Sequence, residues 1–386
     1  MNDRKQIKRW EIELLNRQQQ EFVSKEVKME GNVEKQLLNT IKTELFCYPK
    51  YTKKDNLKYL IKRIVKPSTT PPRDPYFWPH AMMAQALEAA EELEVLKKYY
   101  DGWKKSGMRL LHPDHVMNGY SLVYVYEKTG NVKYKKMMDE IYDYTMKYYE
   151  SHHQTFPYRK HHPTYIFVDT LGMVVPFLCR YGKLFGKDDA TKLGQKLLLE
   201  FLENGMDEDT GLPYHGYDLN TEDKYGIIGW GRAVGWLLLA MADSVEYMEE
   251  GREKETIVKA FQNLSKQSFE YFRETGYFSW QLPAKEGPVD TSATAMIGYA
   301  IKKGKNKAYL RCDCELDEMM GRTILEERLS IKQAMERTED ALKKSFREGK
   351  IWDCSGECEG FAQYPQVYGS YPWSNAPALR FLLEKE

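Results

Sequence analysis

The chain has 386 residues, and its charges cancel, with 57 Lys and Arg against 57 Asp and Glu. A net charge of zero gives no electrostatic reason to expect nucleic acid or an anionic membrane as a partner. No run of eighteen apolar residues suggests a spanning helix. The stretch Met1 to Trp10 turns charged at once and lacks the apolar core of a secretion signal, which points to a cytoplasmic protein.

The six cysteines are Cys47, Cys179, Cys312, Cys314, Cys354 and Cys358, and none of them forms a C-x-x-C pair. Reduced thiols are therefore expected in place of a zinc site or disulfides. Aromatic residues are the informative excess, with 28 Tyr, 15 Phe and 8 Trp. Tyr and Trp combine an apolar ring with a polar tip, which suits the C–H face and hydroxyl rim of a sugar.

In chain order, residues 1–70 are charged and helical in pattern, and a loop from Pro67 to Pro75 follows them. From there two kinds of segment alternate. The first kind opens on aromatic, Asp, Asn or Gly residues and continues as a helix that is apolar all round. Its six examples begin at Tyr76, Asp114, Asp169, Trp230, Asp290 and Tyr371. The second kind is amphipathic. Between Asn131 and Tyr149, for example, Val132, Met138, Ile141, Met146 and Tyr149 fall near one face. The runs from Lys192 and from Glu253 to Phe272 read the same way.

A helix that is apolar all round must be buried on all sides. Six such helices alternating with amphipathic ones predict an all-α fold, an (α/α)6 barrel with an inner and an outer ring. An open solenoid is the structural alternative. Strand signals are weak. The chain is expected to be one catalytic domain. Its Gly-, Tyr- and Pro-rich tail, residues 352–372, is expected to fold as a long loop over one rim.

In a toroid the starts of the inner helices share one end. Trp78, His80, Asp114, His115, Asn118, Asp169, Trp230, Arg232, Trp236 and Asp290 could therefore converge on one pocket, where helix N-termini favour an anionic substrate. Asp114 and Asp169 are the acid/base candidates, although either could simply cap its helix. Asp290 fits a cap. All eight histidines lie between His80 and His215. The pairs His152-His153 and His161-His162 are adjacent in loops, where side chains diverge, so no metal site is expected from them. Arg232, between Trp230 and Trp236, reads either as an Arg capped by aromatics in the core wall or as a planar fork for a carboxylate beside an indole platform, and the cost of burying an unpaired Arg favours the second.

Several ordered segments now carry a resemblance. They are Phe77-Trp-Pro-His80, Pro113-Asp-His-Val-Met-Asn-Gly-Tyr120, Val168-Asp-Thr-Leu-Gly-Met-Val-Val-Pro-Phe-Leu178, Tyr214-His-Gly-Tyr-Asp218, Trp230-Gly-Arg-Ala-Val-Gly-Trp236 and Asp290-Thr-Ser-Ala-Thr-Ala-Met296. In these the chain resembles the unsaturated uronyl hydrolases of glycoside hydrolase families 88 and 105. The resemblance implies an (α/α)6 barrel that works without a metal or organic cofactor, as a monomer or homodimer. The implied substrate is an oligosaccharide with a 4,5-unsaturated uronic acid at its non-reducing end, cleaved by hydration of the C4=C5 double bond.

By position, the resemblance makes Asp169 the general acid/base. An apolar wall and a second carboxylate, Asp114, are expected to hold it protonated. It makes His215 and Arg232 substrate contacts, with Trp230 and Trp236 as ring platforms; Trp78, His80, His115 and Asn118, at the same helix starts, are expected to join them in binding substrate. Where many members have Arg-Gly-Asn-Gly-Trp, this chain has Arg232-Ala-Val-Gly-Trp236, so Val234 replaces an amide. The alternatives are another (α/α)6 sugar enzyme, such as an inverting glycosidase or an epimerase, and a non-catalytic sugar-binding protein.

Overall fold

The computed structural model describes residues 32–47, 53–65, 76–152, 154–158, 163–307, 309, 330–358 and 364–385. Most of the N-terminal segment, the Pro67–Pro75 loop, His153, His161, His162, Cys312 and Cys314 lie outside the described residues. Thirteen helices are described. We label them α1 (Val33–Glu44), α2 (Lys53–Val65), α3 (Trp78–Ala89), α4 (Leu93–Lys105), α5 (Asn118–Thr129), α6 (Val132–Ser151), α7 (Val168–Phe185), α8 (Asp188–Asn204), α9 (Gly231–Ala242), α10 (Arg252–Phe269), α11 (Thr291–Asn306), α12 (Ile331–Lys344) and α13 (Pro372–Leu383).

The six apolar segments become the inner ring. Helix α3 packs on α5, α5 on α7, α7 on α9, α9 on α11, α11 on α13, and α13 returns to α3, so the ring closes. An open solenoid is thereby excluded. Each inner helix is followed by an outer one packed on it, through α12, and α1 completes the outer layer by packing on α13. This is the (α/α)6 toroid expected from periodicity. The two layers solve one burial problem: every residue of α9 is buried, whereas α12 buries Ile331, Ala334, Met335, Thr338, Ala341 and Leu342 at helical spacing and leaves its other side wet.

Inner helices approach closely where one of them carries glycine. A Cβ on Gly119 would sit 2.3 Å from the Phe177 ring, and one on Gly172 would sit 2.4 Å from Trp236. Away from the inner-helix starts, the ring is tied by a buried charge cluster. Asp243, at the end of α9, accepts from Arg380 of α13 at 2.8 Å, from Lys303 of α11 at 2.9 Å and from Tyr299 at 2.9 Å. Arg380 also donates to Gln85 of α3. Four inner helices thus share one ionic fastening.

The buried face of α6 differs from the expected one. It is Tyr134, Met137, Met138, Ile141, Thr145 and Tyr148, whereas Val132 is 60% exposed. Val132 occupies the first helical position, ahead of the part that meets the barrel. The tyrosines bury their rings because their hydroxyls find acceptors, Pro157 O for Tyr148 and Asp101 for Tyr134. Among the described residues seven short strands join the helices: β1 (Tyr165–Phe167), β2 (Gly216–Asp218), β3 (Lys224–Tyr225), β4 (Phe346–Arg347), β5 (Lys350–Ile351), β6 (Cys354–Ser355) and β7 (Tyr368–Gly369). The pairings β1–β2–β3, β4–β5 and β6–β7 are all antiparallel. Among the described residues no helix is long and apolar enough to cross a membrane.

Candidate active site

The starts of the inner helices meet through a chain of aromatic and polar contacts. Trp78, at the start of α3, lies edge-on to Trp236 of α9 at 5.8 Å and against Trp373 of α13 at 5.1 Å. Trp373 donates its Nε1–H to Ser355 O, and the same carbonyl accepts from Arg232 of α9. Ser355 in turn contacts Asp290, the N-cap of α11. Trp230, one residue before α9, packs against His215 at 4.7 Å. All of these indoles are buried.

Asp169 is the second residue of α7, and Phe167, not Asp169, is the N-cap. A capping role therefore does not account for it. Its Oδ2 lies 3.0 Å from His215 Nε2. The β1–β2 ladder sets this meeting: Phe167 is paired with Gly216, and the Val168 N–H donates to His215 O at 2.9 Å. Residues 46 apart in sequence are thereby held side by side. Phe167 and Trp230 wall the imidazole, and its Nδ1 lies 3.1 Å from Tyr364 Oη.

Burial alone would push the His215 pKa down. The Asp169 carboxylate, with Cys358 beside it in support, reverses this and raises it to about 9. At neutral pH His215 is therefore an imidazolium. An imidazolium donates from both nitrogens, to Asp169 Oδ2 and to Tyr364 Oη. The group found in contact with Asp169 is this imidazole.

Asp114 lies in a single 3-10 turn, Pro113–Met117, which packs against α7. The turn's N-cap is His112, so Asp114 does not hold that position either. Its carboxylate is buried, 3.5 Å from His115 Nδ1. His115 Nδ1 also accepts from the His112 N–H, which fixes the ring locally. His80 is buried one turn into α3, with its ring 5.4 Å from that of Phe77.

Two expected substrate contacts have other occupations. Asn118 is fully buried. Its Oδ1 accepts from Tyr99 Oη, and its Nδ2 donates to Tyr76 O and His115 O. It fastens the α3 and α5 starts together and has no exposed surface for a sugar. Arg232 is 3% exposed, and its fork grips the tail: Nη1 donates to Ser355 O and Oγ, and Nη2 to Gly356 O at 2.7 Å. Asp290 favours this charge through space, and Ser355 links the two side chains. Asp290 caps α11 as expected, accepting from the Ser292 N–H, and also holds Ser355 through both oxygens.

The tail thus lies against the inner-helix starts and supplies residues that the sequence did not single out. Tyr364 touches His215, Trp230 and Trp280. Ser355 joins Arg232 to Asp290. Cys358 brings its sulfur into one group with Asp169 and His215, their ligand atoms all lying within 4.8 Å of one another. The available signal was the aromatic and Gly-rich composition of this stretch, which marks an ordered loop without saying which residue reaches which partner.

The family model described as Glycosyl Hydrolase Family 88 matches residues 65–317. The unsaturated rhamnogalacturonyl hydrolase YesR of Bacillus subtilis is 27% identical over 185 residues, which are 45% of this chain and 54% of that protein. The chain therefore spans about half the length of the curated relative it matches. A crystal structure of a possible member of family GH105 from Salmonella enterica superposes with a TM-score of 0.73 at 17% identity, covering 93% of this chain and 96% of that one. An unsaturated glucuronyl hydrolase specific for heparin superposes with a TM-score of 0.63 at 15% identity, covering 91% and 95%. At these identities the two structures establish the fold.

Proposed function

The chain belongs to glycosyl hydrolase family 88, and from that premise we propose that it removes a 4,5-unsaturated uronic acid from the non-reducing end of an oligosaccharide by hydrating the C4=C5 double bond. The supporting observation is the Asp169–His215 pair, set among buried indoles at the starts of the inner helices.

Hydration needs a proton at C4 and hydroxide at C5. One group that gives a proton and then takes one can serve both. Asp169 delivers to C4 the proton it shares with His215, and accepts a proton from the water whose oxygen bonds to C5. The pair ends as it began. The hydrated sugar is a hemiketal at C5, which opens, and the glycosidic bond is lost as the ring rearranges. This route differs from hydrolysis by two carboxylates flanking the anomeric carbon. An imidazolium behind the carboxylate keeps the proton available at neutral pH, a task the sequence had left to a second carboxylate. Tyr364 positions the imidazole, and Arg232 and Asp290 hold the tail at Ser355 and Gly356. Trp78 and His80, with Asp114 and His115, are the remaining candidates for walls and contacts of the uronate subsite.

Lyase-generated disaccharides from pectin and from glycosaminoglycans test this directly, because the conjugated uronate loses its ultraviolet absorbance when hydrated. Wild-type protein is expected to bleach at least one of them, and Asp169→Asn to lower kcat by about 10²–10⁴-fold. Folded wild-type protein that bleaches none of the panel would refute the assignment.

A further inference from the structure

The histidine pairs and cysteine spacings of the sequence point to no metal site, but the fold brings candidate ligands together from three distant segments. Asp169 opens α7, His215 precedes β2, and Cys358 comes from the tail. A carboxylate oxygen, an imidazole nitrogen and a thiol sulfur lie within 4.8 Å of one another. We propose that Asp169, His215 and Cys358 form a binding site for one thiophilic divalent cation of the Zn²⁺ or Cd²⁺ type.

Three arguments carry this. The donor set is one that zinc takes, with sulfur, nitrogen and oxygen ligands at about 2.0–2.3 Å. Ligand atoms around such an ion stand somewhat closer together than 4.8 Å, so the three side chains need to close by only about 1 Å. Next, Tyr364 Oη stands 3.1 Å from His215 Nδ1. With an ion on Nε2, the Nδ1–H donates to that oxygen, the kind of outer partner that fixes a metal-bound imidazole's tautomer. The charges also match. Arg232 is the nearby cation, and Asp290 is an anion at the same end. Once the His215 Nε2 proton has left, a coordinated Cys358 thiolate, Asp169 and Asp290 set three negative charges against the one positive charge of Arg232, and a doubly charged ion takes the place of the two protons released. Coordination sends the thiol proton and the His215 Nε2 proton to solvent, and no redox partner is needed.

Binding stands apart from the hydrolase reading. Its consequence rests on that reading: an ion on Asp169 removes the acid/base group, so occupancy blocks turnover and a chelator restores it. The site is thus inhibitory, and it couples the enzyme to free thiophilic metal.

The test is titration of chelator-stripped full-length protein with Cd²⁺, following the ultraviolet thiolate-to-cadmium charge-transfer absorption, with Zn²⁺ stoichiometry measured by equilibrium dialysis. Wild type is expected to bind one equivalent with the absorption. Cys358→Ser should lose the absorption and weaken binding by more than about 100-fold, beyond what outer-sphere partners contribute. His215→Gln, which keeps the thiol, should weaken binding similarly and covers the case in which Cys358→Ser fails to fold. Unchanged absorption in Cys358→Ser, which would locate binding at another cysteine, would overturn the proposal. So would wild-type protein that takes up no ion. Metal binding by a chain inert on every unsaturated disaccharide would sink the hydrolase reading and leave the site standing.

Discussion

Replacing Asp169 by asparagine removes the charge that holds the His215 proton while keeping the size of the side chain. His215 titrates at about 9 in the folded protein against an ordinary 6.5. At about 1.36 kcal/mol per pH unit, that gap corresponds to about 3 kcal/mol for this buried ring. The folded pKa is raised, so the contribution is complete below about pH 6.5 and disappears as the pH climbs through about 9. In Asp169→Asn the burial that lowers the pKa acts with much less opposition. The variant is expected to be less stable than wild type by about 3 kcal/mol near pH 6, with the difference closing toward pH 10. Thermal unfolding of both proteins at several pH values measures this, and the two midpoint curves should converge as the pH rises. Parallel curves from pH 6 to 10 would show that the His215 charge does not depend on Asp169, and the proton-sharing step would fall with it.

Three further substitutions probe the frame around the site. Arg232→Lys keeps the charge but cannot reproduce the fork that grips Ser355 and Gly356; trypsin should cut the tail faster in the variant, and kcat should fall. Gly172→Ala places a methyl group 2.4 Å from Trp236, and the overpacking is expected to cost about 1–3 kcal/mol in thermal unfolding. Asp243→Asn leaves Arg380 buried without its carboxylate and Lys303 with Glu246 alone, a loss of about 3–5 kcal/mol. In wild type, burial works against ionised Asp243, but Arg380 and Lys303 outweigh it and lower its pKa to about 2. That stabilisation is present above about pH 3.9. It fades as the pH falls through about 2, so acid unfolding of wild type should approach that of Asp243→Asn at the lowest pH.

The two rings were legible in the chain because burial writes itself into composition. A helix covered on all sides must be apolar on all sides, as Gly231–Ala242 is, and a helix covered on one side must alternate, as Ile331–Lys344 does. The polar and aromatic residues at the inner-helix starts were legible for a related reason, since charged groups interrupting an apolar run stand out. What each of them touches was not legible. Asn118 and Arg232 looked like ligand-binding groups, and one fastens α3 to α5 while the other clasps the tail. An amide or a guanidinium must find partners when buried, but its residue type does not say whether those partners belong to the protein or to a sugar. The partner of Asp169 was decided by the β1–β2 register, and Tyr364 and Cys358 reached the site only when the tail folded back over 140 residues later in the chain than His215. Helical period is a local property that each segment carries by itself. Long-range pairing depends on which loops return to which end of the ring, and only the closed tertiary structure settles that.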